Sequence, residues 1–528
     1  MSDEVRKKSM KRFNQFKYKV SIVTLVACVT ALTGCSNLDP VDYSEMNSNL
    51  FPKTESDYGA LVNECYRSIR ASWFDGLFSM DERGCMAIND ATTEILTHRV
   101  HSFKNLHDLN WNSTDDYLVG FYYSDKDGFR DGFANDISRC TSNLAYIEKA
   151  TTLSEEVKKK MMAEVRCARA FVSYTLYDMF GPLVVAPQNL LENPQNDKPL
   201  ARMSREEMVK FIEGDLLYAA ENLPSPTAAE YGRFSGGLAK MLLIRLYLHE
   251  TKIDKSYYDK VEKLARELMQ PANGYQLQPS YTKMFELGGQ GKPNKEIIFA
   301  IPVNTEMVSW NNWHMFVLPA DFGSKGMSGG YKCLTSTWHF YDSFEPNDVR
   351  RTYLLAEYTS KKTGKLVKRG EYPNLDIGPI PMKFGYDVDL FKNSGRSMID
   401  PIIYRYADVY LSLAEALYRK PGSSASDKQE ALRYINAVRE RAGIAALDAS
   451  AIDTDAKFVE ALLKERCHEF WCENGQYRAD LIRLDKFVEY AKTINGSPYA
   501  DKTKELYPLP KSVIVDGKGI VIQNAGYD

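Results

Sequence analysis

The chain has 528 residues, of which 44% are hydrophobic and 26% are charged, and its formal net charge is −3 at pH 7. This composition is typical of a globular protein, and a chain of this length can bury a large core. The nearly balanced charge provides no strong field for binding nucleic acid, so we expect no nucleic-acid partner.

The N-terminus has the layout of an export signal. Basic residues precede an apolar run from Val20 to Leu32, which is too short to span a bilayer as a helix. A Thr-Gly pair stands directly before Cys35, in a pattern that resembles the lipobox of bacterial lipoproteins. We therefore predict that residues 1–34 are a lipoprotein signal peptide and that Cys35 is lipidated. The alternatives are a plain secretory signal with an unrelated cysteine, or a buried core helix.

Residues 35–50 are polar and irregular, and we expect them to tether the lipid to a folded body formed by residues 51–528. Seven cysteines remain once Cys28 has left with the signal and Cys35 carries lipid. Their number is odd and no CxxC pair occurs, which argues against a disulfide framework and against a zinc site. Most lie in helical patterns and are expected to be buried, although one or two bridges stay open in an extracytoplasmic compartment.

Helical patterns dominate residues 51–270. Ser154 caps a long helix that ends at Gly181-Pro182, because proline cannot continue the hydrogen-bond ladder. Ser204 and Glu207 have the spacing of a capping box. The predicted helices of this part are Tyr58–Ile69, Asp131–Ala150, Ser154–Phe180, Ser204–Leu223, Ser235–His249 and Ser256–Met269.

The helical period is lost between residues 271 and 400, where Gly, Pro, Asn and Trp are frequent. Only Glu296–Val303, a short apolar run, has the pattern of a strand. Irregular regions of this length inside a folded protein usually have a function.

Helices return after residue 400. They are predicted over Ile403–Tyr418, Asp427–Ala442, Asp455–Glu473 and Tyr477–Lys492. Paired helices with short turns are typical of a tetratricopeptide-like stack, although no clean repeat is present. The sequence therefore predicts a mainly α domain of tetratricopeptide-like helix pairs, over about 51–270 and 401–528. An irregular, loop-rich insertion at about 271–400 would carry little β structure and the ligand site.

Several segments, in order along the chain, resemble the SusD/RagB family of outer-membrane nutrient-binding lipoproteins. They are FPKTESDYGALVNECY (51–66), AEVRCARAFVSYTLYDMFGPLVVAP (163–187), RFSGGLAKMLLIRLYLHE (233–250), YRYADVYLSLAEALY (404–418), ALRYINAVRERAGI (431–444), LLKERCHEFWCENGQYRADLIRLDKF (462–487), YPLPKSVI (507–514) and IQNAGYD (522–528).

The resemblance implies the same mainly α fold and a location on the outer face of the outer membrane. It implies capture of oligosaccharides, or in some members peptides, for a SusC-like TonB-dependent transporter, without catalysis. No cofactor is implied, and a structural calcium ion is left open.

The segment between residues 431 and 487 is rich in charges at helical spacing. One interpretation is a solvated face of weak i,i+4 pairs, and the other is a packed arginine–carboxylate network that holds the C-terminal helices together. The residues concerned are Arg439, Arg441, Glu465, Arg466, Glu469, Arg478, Asp480 and Arg483.

The six tryptophans divide by context. Trp471 and Trp338 lie among apolar neighbours and are expected in the core, whereas four others lie in polar segments without a periodic apolar face. Flat aromatic rings suit the apolar faces of sugars, and polar groups beside them suit the hydroxyls. The four candidates for a ligand site are Trp73, Trp111, Trp310 and Trp313.

The resemblance adds one candidate and groups the others. In the family, ligand residues follow an Asn-Asp-x-x-x-Glu stretch, here Asn89 to Glu94, and also come from the mid-chain irregular region. It therefore points to Arg99 and Trp111 from the first loop, and to Trp310 and Trp313 from the second. Filling a local hydrophobic cluster is the alternative role for each tryptophan.

An enzyme has weaker support. The sequence contains no phosphate loop, no HExxH motif and no paired cysteine ligands. His98, His101 and His107 are close in sequence, but we interpret them as polar loop residues. The leading hypothesis is a non-catalytic glycan-binding lipoprotein; peptide capture, a surface glycoside hydrolase and a purely structural helical-repeat lipoprotein are the alternatives.

Overall fold

The computed structural model describes residues 51–71, 76–98, 101–123, 132–193, 198–303, 310–323, 329–385 and 396–527. The predicted signal peptide, Cys35 and the predicted tether therefore lie outside the described residues. Thr54–Asp528 forms one compact unit. Among the residues described, no helix has the length and apolar character needed to cross a membrane.

The N-terminal half is helical, as predicted. Its helices are α1 (Glu55–Cys65), α2 (Cys85–Asp90), α3 (His101–His107), α4 (Asp116–Tyr122), α5 (Ala134–Glu148), α6 (Glu155–Phe180), α7 (Gln188–Leu191), α8 (Arg205–Asn222), α9 (Gly236–Glu250) and α10 (Tyr257–Leu268), and a two-residue strand, β1 (Leu96–Thr97), follows α2.

The predicted caps set the ends of the long helices. Ser154 Oγ accepts a hydrogen bond from the Val157 amide, and Gly181, with φ of 76°, ends α6. In the capping box of α8, the Ser204 amide donates to Glu207 at 2.8 Å while the Glu207 amide donates back to Ser204 Oγ. Each cap satisfies amides that have no partner inside the helix.

The insertion contains more β structure than the one strand predicted, although every strand is short. Its elements are β2 (Ile297–Ala300), α11 (Trp313–Val317), β3 (Thr335–Ser336), α12 (Trp338–Ser343), β4 (Leu354–Leu355), β5 (Glu357–Thr359), β6 (Leu366–Lys368), β7 (Ile380–Pro381) and β8 (Ile402–Arg405). The strands pair antiparallel, β4 with β7 and β5 with β6. The ladder between β2 and β8 joins the two ends of the insertion.

The C-terminal half completes the helical scaffold. Its helices are α13 (Tyr406–Arg419), α14 (Ala425–Arg441), α15 (Asp455–Phe470), α16 (Tyr477–Arg483), α17 (Phe487–Thr493) and α18 (Lys511–Asp516). Two predicted boundaries are wrong. The segment predicted to open a helix at Ile403 first forms β8, because its backbone pairs with β2. The helix predicted over Tyr477–Lys492 is broken where Asp485 takes a positive φ of 56°.

Successive helices pack side by side through both halves. The chain of neighbours is α5–α6, α6–α8, α8–α9, α9–α10, α10–α13 and α13–α14. The stack thus passes directly from α10 to α13, and the insertion leaves the scaffold between them. The mainly α fold with helix pairs and little β structure is confirmed.

The charged C-terminal segment forms a packed network, so the interpretation as a solvated face is wrong. Glu469, which has no exposed surface, accepts hydrogen bonds from Arg350, Arg405 and Arg441. Arg405 also pairs with Glu296 at 2.9 Å. Arg441 and Glu469 lie on the scaffold helices α14 and α15. The other charges come from the insertion and its last strand, β8, so the network joins the insertion to the scaffold.

A second buried cluster surrounds Asp480 on α16. Arg466, Arg483 and Arg245 all donate to its carboxylate. Burial would raise the pKa of Asp480, but attraction to these guanidinium groups outweighs burial and holds the pKa well below its ordinary value. The cluster ties α9 to the C-terminal helices.

All seven described cysteines are free thiols. Six are buried, as expected for small hydrophobic side chains, and Cys333 alone among the seven is half-buried. Cys333 lies in the insertion rather than in a helix.

Candidate functional site

A short ladder brings together the two loops that the resemblance links to ligand binding. In β1 and β3, Leu96 pairs with Ser336 and Thr97 with Thr335, antiparallel. Ser336 Oγ also donates to the Ile95 carbonyl at 2.5 Å. The loop after Asn89–Glu94 therefore ends beside the middle of the insertion. Sequence spacing alone could not place these two segments together, since more than two hundred residues separate them.

Trp310 lies three residues before the first residue of α11 and is half-buried. The next residue, Asn311, forms a backbone bridge with Ser397, so two distant segments of the insertion meet here. The Arg396 guanidinium lies 4.2 Å from the centre of the Trp310 ring. A cation at this distance over an indole orients the ring by a cation–π interaction. Trp310 and Arg396 thus offer an aromatic surface next to hydrogen-bond donors.

Tyr331 provides a second aromatic surface nearby. Tyr331 is 61% exposed. Its amide donates to the Met315 carbonyl of α11 at 2.7 Å, and its ring meets Phe316 edge-on at 6.0 Å. We define the α11 site as Trp310, Tyr331 and Arg396: Trp310 precedes α11, Arg396 lies over Trp310, and Tyr331 is hydrogen-bonded to α11.

Trp313 has the opposite environment from Trp310. It is fully buried, and its indole Nε1 donates to the Pro381 carbonyl at 2.7 Å. Its position at the start of α11 turns the ring inward, against the insertion. The expectation that Trp313 presents a stacking surface is therefore wrong for this structure, and the ring instead holds α11 in place.

Trp111 is likewise buried, with 3% of its surface exposed. Its Nε1 donates to Tyr527 Oη at 2.7 Å, and its ring packs edge-on against Tyr507. The ring therefore fixes the C-terminal segment and offers no surface to a ligand. Trp73 and Arg99, the remaining candidates, lie outside the described residues.

The two tryptophans expected in the core differ. Trp471 is fully buried, as predicted. Trp338 is only half-buried: its Nε1 donates to the Asp376 carbonyl at 3.2 Å, while Arg369 stacks on its ring at 4.3 Å. Apolar residues close to it in sequence, such as Phe340, are buried, but Trp338 itself remains partly exposed.

Tyr331 and Arg396 were not among the residues chosen from the sequence. The sequence contains a weak indication for Tyr331. It is an aromatic residue directly after Gly329 and Gly330 in a Ser- and Gly-rich segment, which has no periodic apolar face. The sequence gives no indication for Arg396, because its contact with Trp310 arises only in the folded chain.

A separate concavity of about 520 Å³ lies between α12, α15 and α17. Apolar side chains such as Leu447, Ala461 and Ile494 line it together with Lys457 and Lys464. Its apolar lining suits an aliphatic side chain better than a sugar hydroxyl. This concavity is the feature that would serve the peptide-binding alternative.

Three buried carboxylates around Arg405 do not have the environment of a glycosidase pair. Such enzymes need two carboxyl groups on either side of an accessible bond. Glu296, Glu469 and Glu473 lie around Arg405, but they have at most 2% of their surface exposed and are bound by guanidinium groups. They neutralise arginine charge, and a substrate has no access to them.

The chain is similar in sequence to SusD-like proteins. A family model described as the SusD family matches residues 354–527. SusD-like protein P2 of Formosa agariphila is 24% identical over 97% of this chain and 100% of its own length. Starch-binding protein SusD of Bacteroides thetaiotaomicron is 22% identical over 72% of this chain and 75% of its own.

A solved structure has the same fold. Surface glycan-binding protein A from Bacteroides thetaiotaomicron, in complex with laminarihexaose, superposes with a TM-score of 0.70 at 18% identity, covering 89% of this chain and 99% of that one. The chain therefore shares its fold with that protein. The chain is thus similar to SusD-like proteins, and its C-terminal third matches the SusD family model.

Proposed function

We propose that this protein captures an oligosaccharide at the α11 site and presents it to a SusC-like TonB-dependent transporter, without catalysis. The observation that carries the proposal is a half-buried Trp310, oriented by Arg396, together with an exposed Tyr331 whose backbone is hydrogen-bonded to α11. Sugar rings stack on such surfaces through their C–H faces, while a guanidinium donates to their hydroxyls. The starch-binding relative and the laminarihexaose complex support a glycan as the ligand.

Replacing Trp310 by alanine is expected to weaken glycan binding about 30-fold, because truncating an aromatic anchor typically costs about 2 kcal/mol. Calorimetry against a panel of soluble polysaccharides would first identify the ligand and then compare the variants. Tyr331→Ala should weaken binding in the same direction. Tyr146→Ala is the matched control, since that tyrosine is 44% exposed on α5. Equal affinities for Trp310→Ala and the control would rule out the α11 site.

The same panel separates the alternative functions. Tight binding of peptides with no binding of any glycan would favour the peptide hypothesis and the apolar concavity beside α15. Release of reducing sugar by the purified protein would favour a hydrolase. Copurification of a β-barrel transporter from detergent extracts tests the proposed partner.

The lipid anchor is a further part of the proposal. Replacing Cys35 by alanine should give a folded protein that fails to reach the cell surface, because the thiol is the site of lipid attachment. A stable anchor needs more than one acyl chain, each contributing about 0.8 kcal/mol per buried CH₂. Surface protease accessibility measures the location. Cys28→Ala is the control, since Cys28 would leave with the signal, and normal surface amounts of Cys35→Ala would disprove the anchor.

A further inference from the structure

Three potential metal ligands converge beside the β1–β3 ladder. Glu82, His98 and Cys333 each place one ligand atom so that the three atoms lie within 4.8 Å of one another. They come from three separate segments of the chain, and no sequence motif unites them. We propose that this triad, the Glu82–His98–Cys333 site, binds a thiophilic divalent cation, with Zn²⁺ as the fitting ion.

The donor set selects the class of ion. Calcium and magnesium prefer oxygen ligands throughout, and a thiolate sulfur argues against both. Zn²⁺ accepts sulfur, imidazole nitrogen and carboxylate oxygen together. In a tetrahedral zinc site neighbouring ligand atoms lie about 3.3–3.8 Å apart, as follows from zinc–ligand distances of about 2.0–2.3 Å. The observed spread therefore needs only small side-chain adjustments.

The backbone on two sides of the triad is fixed in place. His98 directly follows β1, and its ring packs edge-on against Phe103 at 5.5 Å. The Cys333 amide donates to the Phe316 carbonyl at 2.7 Å, two residues before β3 begins. Ligands held by a ladder and a helix need little ordering when a metal binds.

The third ligand is positioned by a neighbouring helix. Glu82 lies within hydrogen-bonding reach of the Tyr117 hydroxyl of α4 and of the Cys333 thiol. A metal ion would take the place of the proton between the Cys333 sulfur and Glu82. The sulfur–hydrogen bond breaks, a sulfur–metal bond forms, and the proton passes to solvent.

The site is reachable from solvent. Glu82 and Cys333 are half-buried, while His98 is buried behind them. Three protein ligands leave one coordination position open, as in zinc sites that also hold water or another ligand. Because Cys333 and Tyr331 lie on the same short segment beside α11, the metal site adjoins the α11 site without sharing its residues.

Titration with Co²⁺ tests the site directly. Full-length protein, kept reduced and free of metal, should bind one Co²⁺ per chain and develop the near-ultraviolet charge-transfer absorption of a thiolate–cobalt bond. Zn²⁺ should abolish this absorption by displacing Co²⁺. Cys333→Ser should remove it, and Glu82→Gln and His98→Ala should each weaken Zn²⁺ binding about 100-fold.

Two controls separate coordination from folding. His339→Ala, at an exposed histidine of α12, should leave the titration unchanged. Cys333→Ser should keep the far-ultraviolet circular dichroism of the wild type, because the side chain is half-buried and small. Absence of the charge-transfer absorption in the reduced wild type, or its persistence in Cys333→Ser, would overturn the proposal.

Discussion

Replacing Glu469 by glutamine is expected to destabilise the folded protein by about 3–5 kcal/mol, the usual cost of removing one partner from a buried ion network. The substitution keeps the size of the side chain but removes its charge. One negative charge would then be missing from a site without exposed surface. The arginines that lose this partner are Arg350, Arg405 and Arg441. The urea midpoint of unfolding measures the effect.

Glu156→Gln is the matched control for this prediction. Glu156 pairs with Lys160 at 2.8 Å on the exposed face of α6, where side chains are 79% and 58% accessible. Exposed pairs contribute little to stability, so its urea midpoint should equal that of the wild type. Equal midpoints for Glu469→Gln and Glu156→Gln would show that the buried network does not stabilise the fold.

The same network predicts the direction of the pH dependence. Burial would raise the pKa of Glu469, but attraction to Arg441, Arg405 and Arg350 outweighs burial and lowers the pKa well below 4.5. A lowered folded-state pKa stabilises the protein above the unfolded value, and this stabilisation is lost as the pH falls below about 4.5. The wild type should therefore lose more stability than Glu469→Gln between about pH 5 and pH 3.

Replacing Trp313 by alanine is expected to lower stability by about 3–5 kcal/mol, the range for emptying a buried tryptophan position. The ring is fully buried at the start of α11, and the Pro381 carbonyl would also lose its hydrogen-bond donor. Thermal unfolding followed by circular dichroism measures the loss. Glycan affinity should fall only indirectly, to the extent that α11 shifts when the buried ring is removed.

Trp310→Ala provides the comparison within the same segment. Trp310 is half-buried, so its removal should change the thermal midpoint little while weakening binding. The two variants, three residues apart, should thus separate a structural role from a binding role. If Trp313→Ala kept the wild-type midpoint and lost binding, the assignment of Trp313 to the interior would be wrong.

Local chemistry in the sequence determined the scaffold. Ser154 and Ser204 cap helices because their hydroxyls satisfy free amides at the first turn, and Gly181 ends α6 because glycine adopts a positive φ without strain. These interactions span a few residues, so sequence reasoning found the long helices and the mainly α class. It failed at β8, where pairing with a distant strand overrode the local helical pattern.

Side-chain roles depended on contacts between distant segments. Trp310 and Trp313 have the same polar sequence context, yet one is half-exposed and the other is buried against Pro381. The charges around Glu469 could equally have been a solvated helix face. The burial of a residue depends on which segments pack against it, and these spatial neighbours cannot be read from the sequence.

The sequence by itself thus determined the helix pairs, the loop-rich insertion, the resemblance to the SusD/RagB family and the expected export of the chain. Only the tertiary structure decided which aromatic rings face solvent, that Arg396 orients Trp310, and that Glu82, His98 and Cys333 meet. The physical reason is range. Caps and helical periods act within one or two turns, whereas these contacts join segments that lie far apart in the chain, as the β1–β3 ladder does beside His98 and Cys333.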